Sequence, residues 1–380
     1  MIKRCYVVSI LLLSFLLQGC GAREIEKKAF VIGVGIDQGK NEDATSLPVM
    51  NGTFQVAVPR SLKPEVTNGK AYQNFEEKGH DISEQISKIA QISNKELYFA
   101  HNQIILVSDK VAKQPQRMER LLDFFVRHED IRRSVRVFIT KGDTKQFLNV
   151  ENNEKLPSLY IDTLSANVQN HSRTASIKRL GDLQEDLLAH RSFVLPVLHY
   201  KSTDEIKLGG AAIIKGESSR LTHVLNEKDT EALNILNGEF QKGMLLIELK
   251  DNLYIYKVDK SKSKIKLQST NNGQLTFKIT VSLEGEIQEV NKQMDTRTTS
   301  ADRVKKEVEK QLAIKTERFI NKLQNQYKTD VLGLGVYLEK HHHKEWLKLR
   351  NDWETGENHF SQVKINTQIN TTISSAGGLR

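Results

Sequence analysis

MLLIELKDNLYIYKVDKSKSKIKLQSTNNGQLTFKITVSLEGEIQ, residues 244–288, is the stretch whose reading decides the fold. Aliphatic, aromatic and β-branched residues recur in short runs at 244–249, 253–258, 265–268 and 275–285, as strands require. Asn271-Asn272-Gly273, between the last two runs, supplies residues that tolerate the positive φ of a hairpin turn. Strand following strand without an intervening helix predicts an antiparallel-rich sheet.

Downstream, Thr299 with Asp302 three residues on resembles a capping box and opens a charged helix to about Tyr327. Val304, Val308 and Leu312, then Phe319, Ile320, Leu323 and Tyr327, give it an apolar stripe that should lie across the sheet. The apolar spacing shifts between the two groups, so no heptad is sustained and a coiled coil is disfavoured. Asp330-Val331-Leu332-Gly333-Leu334-Gly335 then leads into a second helix carrying Trp346, Leu349 and Trp353. A closing strand places Val363, Ile365, Ile369 and Ile373 on one face. Strands, a long helix and a closing strand make the fold class α+β.

Upstream, Gly209-Gly210-Ala211-Ala212-Ile213-Ile214 reads as a strand, and Asn226 as the cap of a helix ended by Gly238. The polar run Lys201-Ser202-Thr203-Asp204-Glu205 marks the main boundary, between an N-terminal region 20–200 and a C-terminal domain 201–380. In the N-terminal region, strands are expected at 29–37, 54–58, 97–99, 103–107, 135–140 and 193–199. Helices are expected at 81–94, around Leu121 to Phe125, and at 158–170 and 182–189. Gly33 and Gly35 inside the first strand lack the third glycine of a dinucleotide fingerprint, so they read as points of close backbone approach or a bulge. At 380 residues the chain has room for two or three mixed α/β domains, and it shows no internal repeat or low-complexity linker.

The first residues, MIKRCYVVSILLLSFLLQGCGAR, say where those domains are sent. Lys3 and Arg4 precede an apolar run from Tyr6 to Leu17, too short for the ~20 residues of a membrane-spanning helix. Residues 1–19 therefore read as a secretory signal peptide. Leu17-Gln18-Gly19-Cys20 resembles the bacterial lipobox, in which the cysteine thiol receives diacylglycerol and, after cleavage, an N-acyl chain. Gln18 stands where a small or β-branched residue is usual. Two or more acyl chains give stable anchoring, so Cys20 is the expected attachment site of a soluble body to a membrane.

Composition agrees with export. Hydrophobic content of 38% and aromatic content of 7% describe a globular protein, with no other apolar run long enough to span a bilayer. The only cysteines are Cys5, within the signal, and Cys20, so no disulfide, cysteine metal site or thiol nucleophile is expected in the mature chain. The formal charge of +9 falls to +7 without Lys3 and Arg4, and acids interleave the bases, as in Arg303-Val304-Lys305-Lys306-Glu307. Without an aromatic-rich basic motif and with an export signal, nucleic acid is not the expected partner.

Chemical motifs are few. His341-His342-His343 with Glu345 lacks the i, i+4 spacing that turns two side chains to one ion, so solvated histidines at a helix start are expected. Asp81 of His80-Asp81 reads as a helix cap, and Glu129-Asp130 after His128 as a loop before a strand. No nucleophile elbow, Walker loop or kinase triplet occurs, so no catalytic, metal or cofactor-binding residues are assigned.

Together these segments resemble the Ger(x)C family, the lipoprotein C subunits of nutrient germinant receptors in spore-forming bacteria. The resemblance is carried by Cys20 and the strand ending Gly33-Val34-Gly35-Ile36-Asp37. It continues through Lys95-Glu96-Leu97-Tyr98-Phe99-Ala100-His101 and Leu122-Asp123-Phe124-Phe125-Val126-Arg127. Gly209-Gly210-Ala211-Ala212, Leu225-Asn226-Glu227, Thr230-Glu231-Ala232-Leu233 and Asp330 to Gly335 with Trp346 and Trp353 complete it. Gly21-Ala22 departs from the family's frequent Trp-Asp, and His341 to His343 occupy a loop that commonly holds proline. The resemblance implies a non-enzymatic subunit, lipidated at Cys20, on the outer face of the spore's inner membrane. Its partners would be an integral membrane A-type subunit, a transporter-like B-type subunit and membrane lipid. The alternative is a substrate-binding lipoprotein of a transporter, whose two doubly wound lobes fit poorly with consecutive strands at 244–288. An exported hydrolase is the third reading, without a nucleophile set to support it.

Overall fold

The structure is a computed structural model that describes residues 25–40, 48–62, 70–151, 154–168, 173–249, 252–271, 274–289 and 301–375. The expected signal peptide, Cys20, the turn residues Asn272 and Gly273, and Thr299 lie outside the described residues. The mixed α+β class read from the sequence is the class observed: two sheets with their helices, the second sheet packed by a long helix.

The first sheet has four parallel strands at its centre: β1 (Lys28–Gln38), β5 (Ile104–Ser108), β6 (Arg136–Lys141) and β7 (Phe193–Tyr200). Antiparallel strands extend both sides, β2 (Met50–Ala57) and β3 (Tyr72–Gly79) beyond β1, and β8 (Ile206–Lys215) and β9 (Arg220–Leu225) beyond β7. A short strand, β4 (Glu96–Tyr98), pairs with the start of β1. The central strands are buried on both faces, which is why they read as unbroken apolar runs. One face is covered by α1 (Ile82–Ile92), α3 (Arg117–Arg127) and α6 (Leu180–Leu188), through Ile82, Ile89, Leu121, Leu122, Phe125 and Leu183. The other is covered by α4 (Thr144–Phe147) and α5 (Pro157–Val168), through Phe147 and Ile161. A short α2 (Asp109–Ala112) follows β5 directly.

Gly33 and Gly35 mark where these helices touch β1. A Cβ on Gly33 would collide with Ser158, and one on Gly35 with Thr144, so the backbone approach expected from the glycines is real. The polar run at 201–205 is a turn inside this sheet: Lys201 N and Ser202 N both donate to Glu205 O, and β8 pairs back onto β7. The sheet thus continues past residue 200 to Leu225. β8 serves two cores, with Ala212 and Ile214 facing the first helical layer and Ala211 and Ile213 facing the second half.

The second sheet follows the helix α7 (Glu227–Asn237), whose cap is the one expected: Asp229 N donates to Asn226 Oδ1 at 2.9 Å, and Gly238 ends it at φ 74°. Its strands run β10 (Met244–Leu249), β11 (Asn252–Asn271), β12 (Gln274–Glu289) and β13 (Lys364–Ser375) in spatial order. β11 is one twenty-residue strand rather than two runs. Its inward positions Ser261 and Ser263 are polar and small, and Gly238 packs there against the backbone of Lys262 and Ser263. The long helix α8 (Ala301–Lys322) carries the chain across the sheet, so β13 joins β12 in parallel after two antiparallel pairings. Its stripe of Val304, Val308, Leu312, Phe319, Ile320 and Leu323 is buried against the sheet, as its spacing predicts.

Candidate functional site

After a π-helical turn, Leu323–Tyr327, the chain reaches Asp330, 6% exposed. Its Oδ1 accepts N–H groups from Leu332, Gly333 and Leu334 at 3.2, 2.9 and 3.2 Å, and its Oδ2 accepts the Gly335 N–H at 2.7 Å. These donors open the helix α9 (Leu334–His341), so one carboxylate satisfies the amides a helix start leaves free. Gly333 holds φ 78°, the left-handed conformation that glycine adopts without strain. Trp353 Nε1 donates to Oδ2 at 2.9 Å. A side chain on Gly335 would strike the Trp353 and Trp346 rings, so its lack of a Cβ lets the indoles close over the carboxylate.

Glu354, next to Trp353, joins this centre to the first half. Its Oε1 accepts the Asp330 N–H at 2.9 Å, and its Oε2 accepts a short bond from Ser192 Oγ, just before β7. Ser192 Oγ in turn accepts the Gly216 N–H at 2.9 Å, from the turn between β8 and β9. Arg191 pairs with Glu339 of α9 at 2.7 Å beside it. These contacts line a cleft of about 760 Å³ between the halves, walled by residues such as Lys178, Glu217, Trp346 and Arg350. Burial pushes the Asp330 carboxyl above its ordinary range despite five donors. Burial first, and the neighbouring Asp330 charge second, push Glu354 up to about 7. Ser192 Oγ is thus held between the Glu354 carboxyl and the Gly216 N–H. The arrangement can hold two halves in register, and can respond to a proton.

The residues singled out in the sequence fall elsewhere. His341 ends α9, His343 opens α10 (His343–Leu349), and His342 sits at the break between them. The rings of His341 and His342 lie 4.8 and 5.6 Å from Tyr337, and Glu345 pairs with Lys348. Among the described residues no group of three or more His, Cys, Asp and Glu side chains could hold a metal ion. Asp81 caps α1, accepting the Glu84 N–H at 2.8 Å while Glu84 accepts the His80 N–H. His128 ends α3, with its ring beside Phe99 and Phe124. Glu354 and Ser192 were not found by sequence reasoning, because a bond across 162 positions has no local pattern to betray it.

Comparison with known proteins now decides the lineage. Residues 21–200 match the family described as spore germination protein N-terminal domain, and residues 209–377 match spore germination B3/GerAC like, C-terminal. The chain belongs to the Ger(x)C family of spore germination proteins. Spore germination protein A3 of Bacillus subtilis (strain 168) is 28% identical over 377 residues, covering 98% of this chain and 97% of the relative. Spore germination protein YndF of the same organism is 26% identical over 396 residues, with the same coverage. The crystal structure of the GerBC protein shares the fold at TM-score 0.60 and 22% identity, over 90% of this chain and 97% of that one. In this Ger(x)C protein, the Asp330 segment and both tryptophans that carried the resemblance converge on the cleft between the halves.

Proposed function

We propose that this Ger(x)C protein is the lipid-anchored C subunit of a spore nutrient germinant receptor, needed to trigger germination. It is held on the outer face of the inner membrane by acyl chains on Cys20 and acts by assembly with A-type and B-type integral membrane subunits, not by catalysis. The observation that carries this reading is Leu17-Gln18-Gly19-Cys20 behind a signal peptide, in a chain of spore germination lineage. Two features support it. Among the described residues no helix is long and apolar enough to cross a membrane. β1 starts at Lys28, so a lipid on Cys20 would pull on the central parallel strands through about eight residues, at most ~28 Å of chain. Restriction to the membrane plane raises the effective concentration beside integral partners, so modest contacts suffice.

Replacing Cys20→Ala tests the reading. The variant should keep the wild-type thermal unfolding, leave the membrane fraction for the soluble one, and impair nutrient-triggered germination. Membrane retention with normal germination would refute it.

A further inference from the structure

The first half holds a second cleft, of about 860 Å³, between the start of α1 and one face of α3. Its size is that of a small-molecule site. Met50, Ile82, Leu121 and Phe124 give it apolar walls, and Arg117 and Arg120, one helical turn apart on α3, stand at one end. Arg117 is held in place: its Nη2 donates to Pro48 O at 3.0 Å and its Nε to Gln114 Oε1 at 3.2 Å. Arg120 makes no side-chain hydrogen bond or ion pair with the described residues. The carboxylates of the cleft are engaged elsewhere, Asp81 as the cap of α1 and Asp123 with Arg127 at 2.7 Å. Two neighbouring guanidiniums therefore line a largely apolar cleft, and among the described residues no carboxylate pairs with either. Desolvation, and then Arg120, hold the Arg117 guanidinium below its ordinary pKa, the cost that an anion would relieve.

We propose that this cleft binds a small free monocarboxylate, its carboxylate taken by Arg117 and Arg120 and its apolar body laid against Met50, Ile82, Leu121 and Phe124. A planar guanidinium beside a second cation suits a carboxylate, and the flanking walls suit a ring or branched chain the size of a phenylpropyl group. The site is independent of the lipid anchor and of the junction around Asp330.

Titration calorimetry on the chain from Cys20 onward, with 3-phenylpropanoate and its neutral analogue 3-phenylpropan-1-ol, tests this. The acid should bind with a Kd of about 1 mM or tighter, and at least ~10-fold more tightly than the alcohol. Arg120→Gln, on an exposed side chain, should weaken the acid ~10-fold or more with unchanged thermal unfolding and no effect on the alcohol. Arg117→Gln should do the same to the acid. Equal binding of acid and alcohol, acid binding that survives both substitutions, or no binding up to about 10 mM would each overturn the proposal.

Discussion

Asp37 in the first half and Asp330 in the second are both buried at the start of a helix, and the two differ in what lies around them. Asp37, in β1, accepts the Thr144 N–H at 2.8 and 3.0 Å and the Thr144 hydroxyl at 2.7 Å. It fastens α4 to the sheet, and all its partners lie in the first half. Asp330 accepts five N–H groups, one of them from an indole, and its own N–H is held by Glu354, which reaches Ser192 of the first half. Neither aspartate has a cation partner among the described residues, and desolvation raises both above the ordinary carboxylate range. The same device thus serves a local fastening in one place and a joint between halves in the other. Hydrogen-bond donors alone can hold a buried carboxylate, but what the carboxylate controls depends on whose donors they are.

Replacing Asp330→Ala should have the largest effect. It strands the amides at the start of α9 and the Trp353 indole, and should cost about 3 kcal/mol or more in chemical denaturation. Trp346 and Trp353 are the chain's two tryptophans and lie at this centre, so native fluorescence should change as well. An unchanged emission spectrum would deny Asp330 its role at the joint.

The pH dependence should be next. Glu354 has a folded pKa raised from 4.5 to about 7, so the folded protein keeps a proton that the unfolded chain releases. Its contribution is therefore full below pH 4.5 and is lost as pH rises to about 7, by up to about 3 kcal/mol. Glu354→Gln cannot titrate. Unfolding measured across this window should show the variant gaining on the wild type as pH rises, and parallel curves would remove Glu354 from the account. Asp37→Ala should be the mildest of the three, about 1–2 kcal/mol, with tryptophan emission unchanged. A cost equal to that of Asp330→Ala would erase the distinction between fastening and joint.

How much of this could be read beforehand follows from the range of each interaction. Asn226, Gly238 and Asp81 announce helix ends because the cap and the amides it serves are a few residues apart. The strand 244–249 and the stripe from Val304 to Leu323 were legible from periodicity, since one face of each meets the core. β11 read as two pieces because Ser261 and Ser263 face inward at a close approach. The strands β3 and β9 were missed, the first a polar edge strand with only Gly79 fully buried, the second alternating weakly around His223. The polar turn at 201–205 was legible from its composition, but not that β8 on its far side is buried on both faces and contributes to both cores. The joint itself was invisible: Asp330 was legible only as the first residue of the run into the second helix, and nothing local ties Ser192 to Glu354.

The most direct test of the functional account is recovery of the tagged protein from detergent-solubilised spore inner membranes, with mass spectrometry of what accompanies it. The account predicts a multi-span pair of A-type and B-type receptor subunits. Recovery of an ABC-type permease with its ATPase, or of no integral membrane partner, would contradict it.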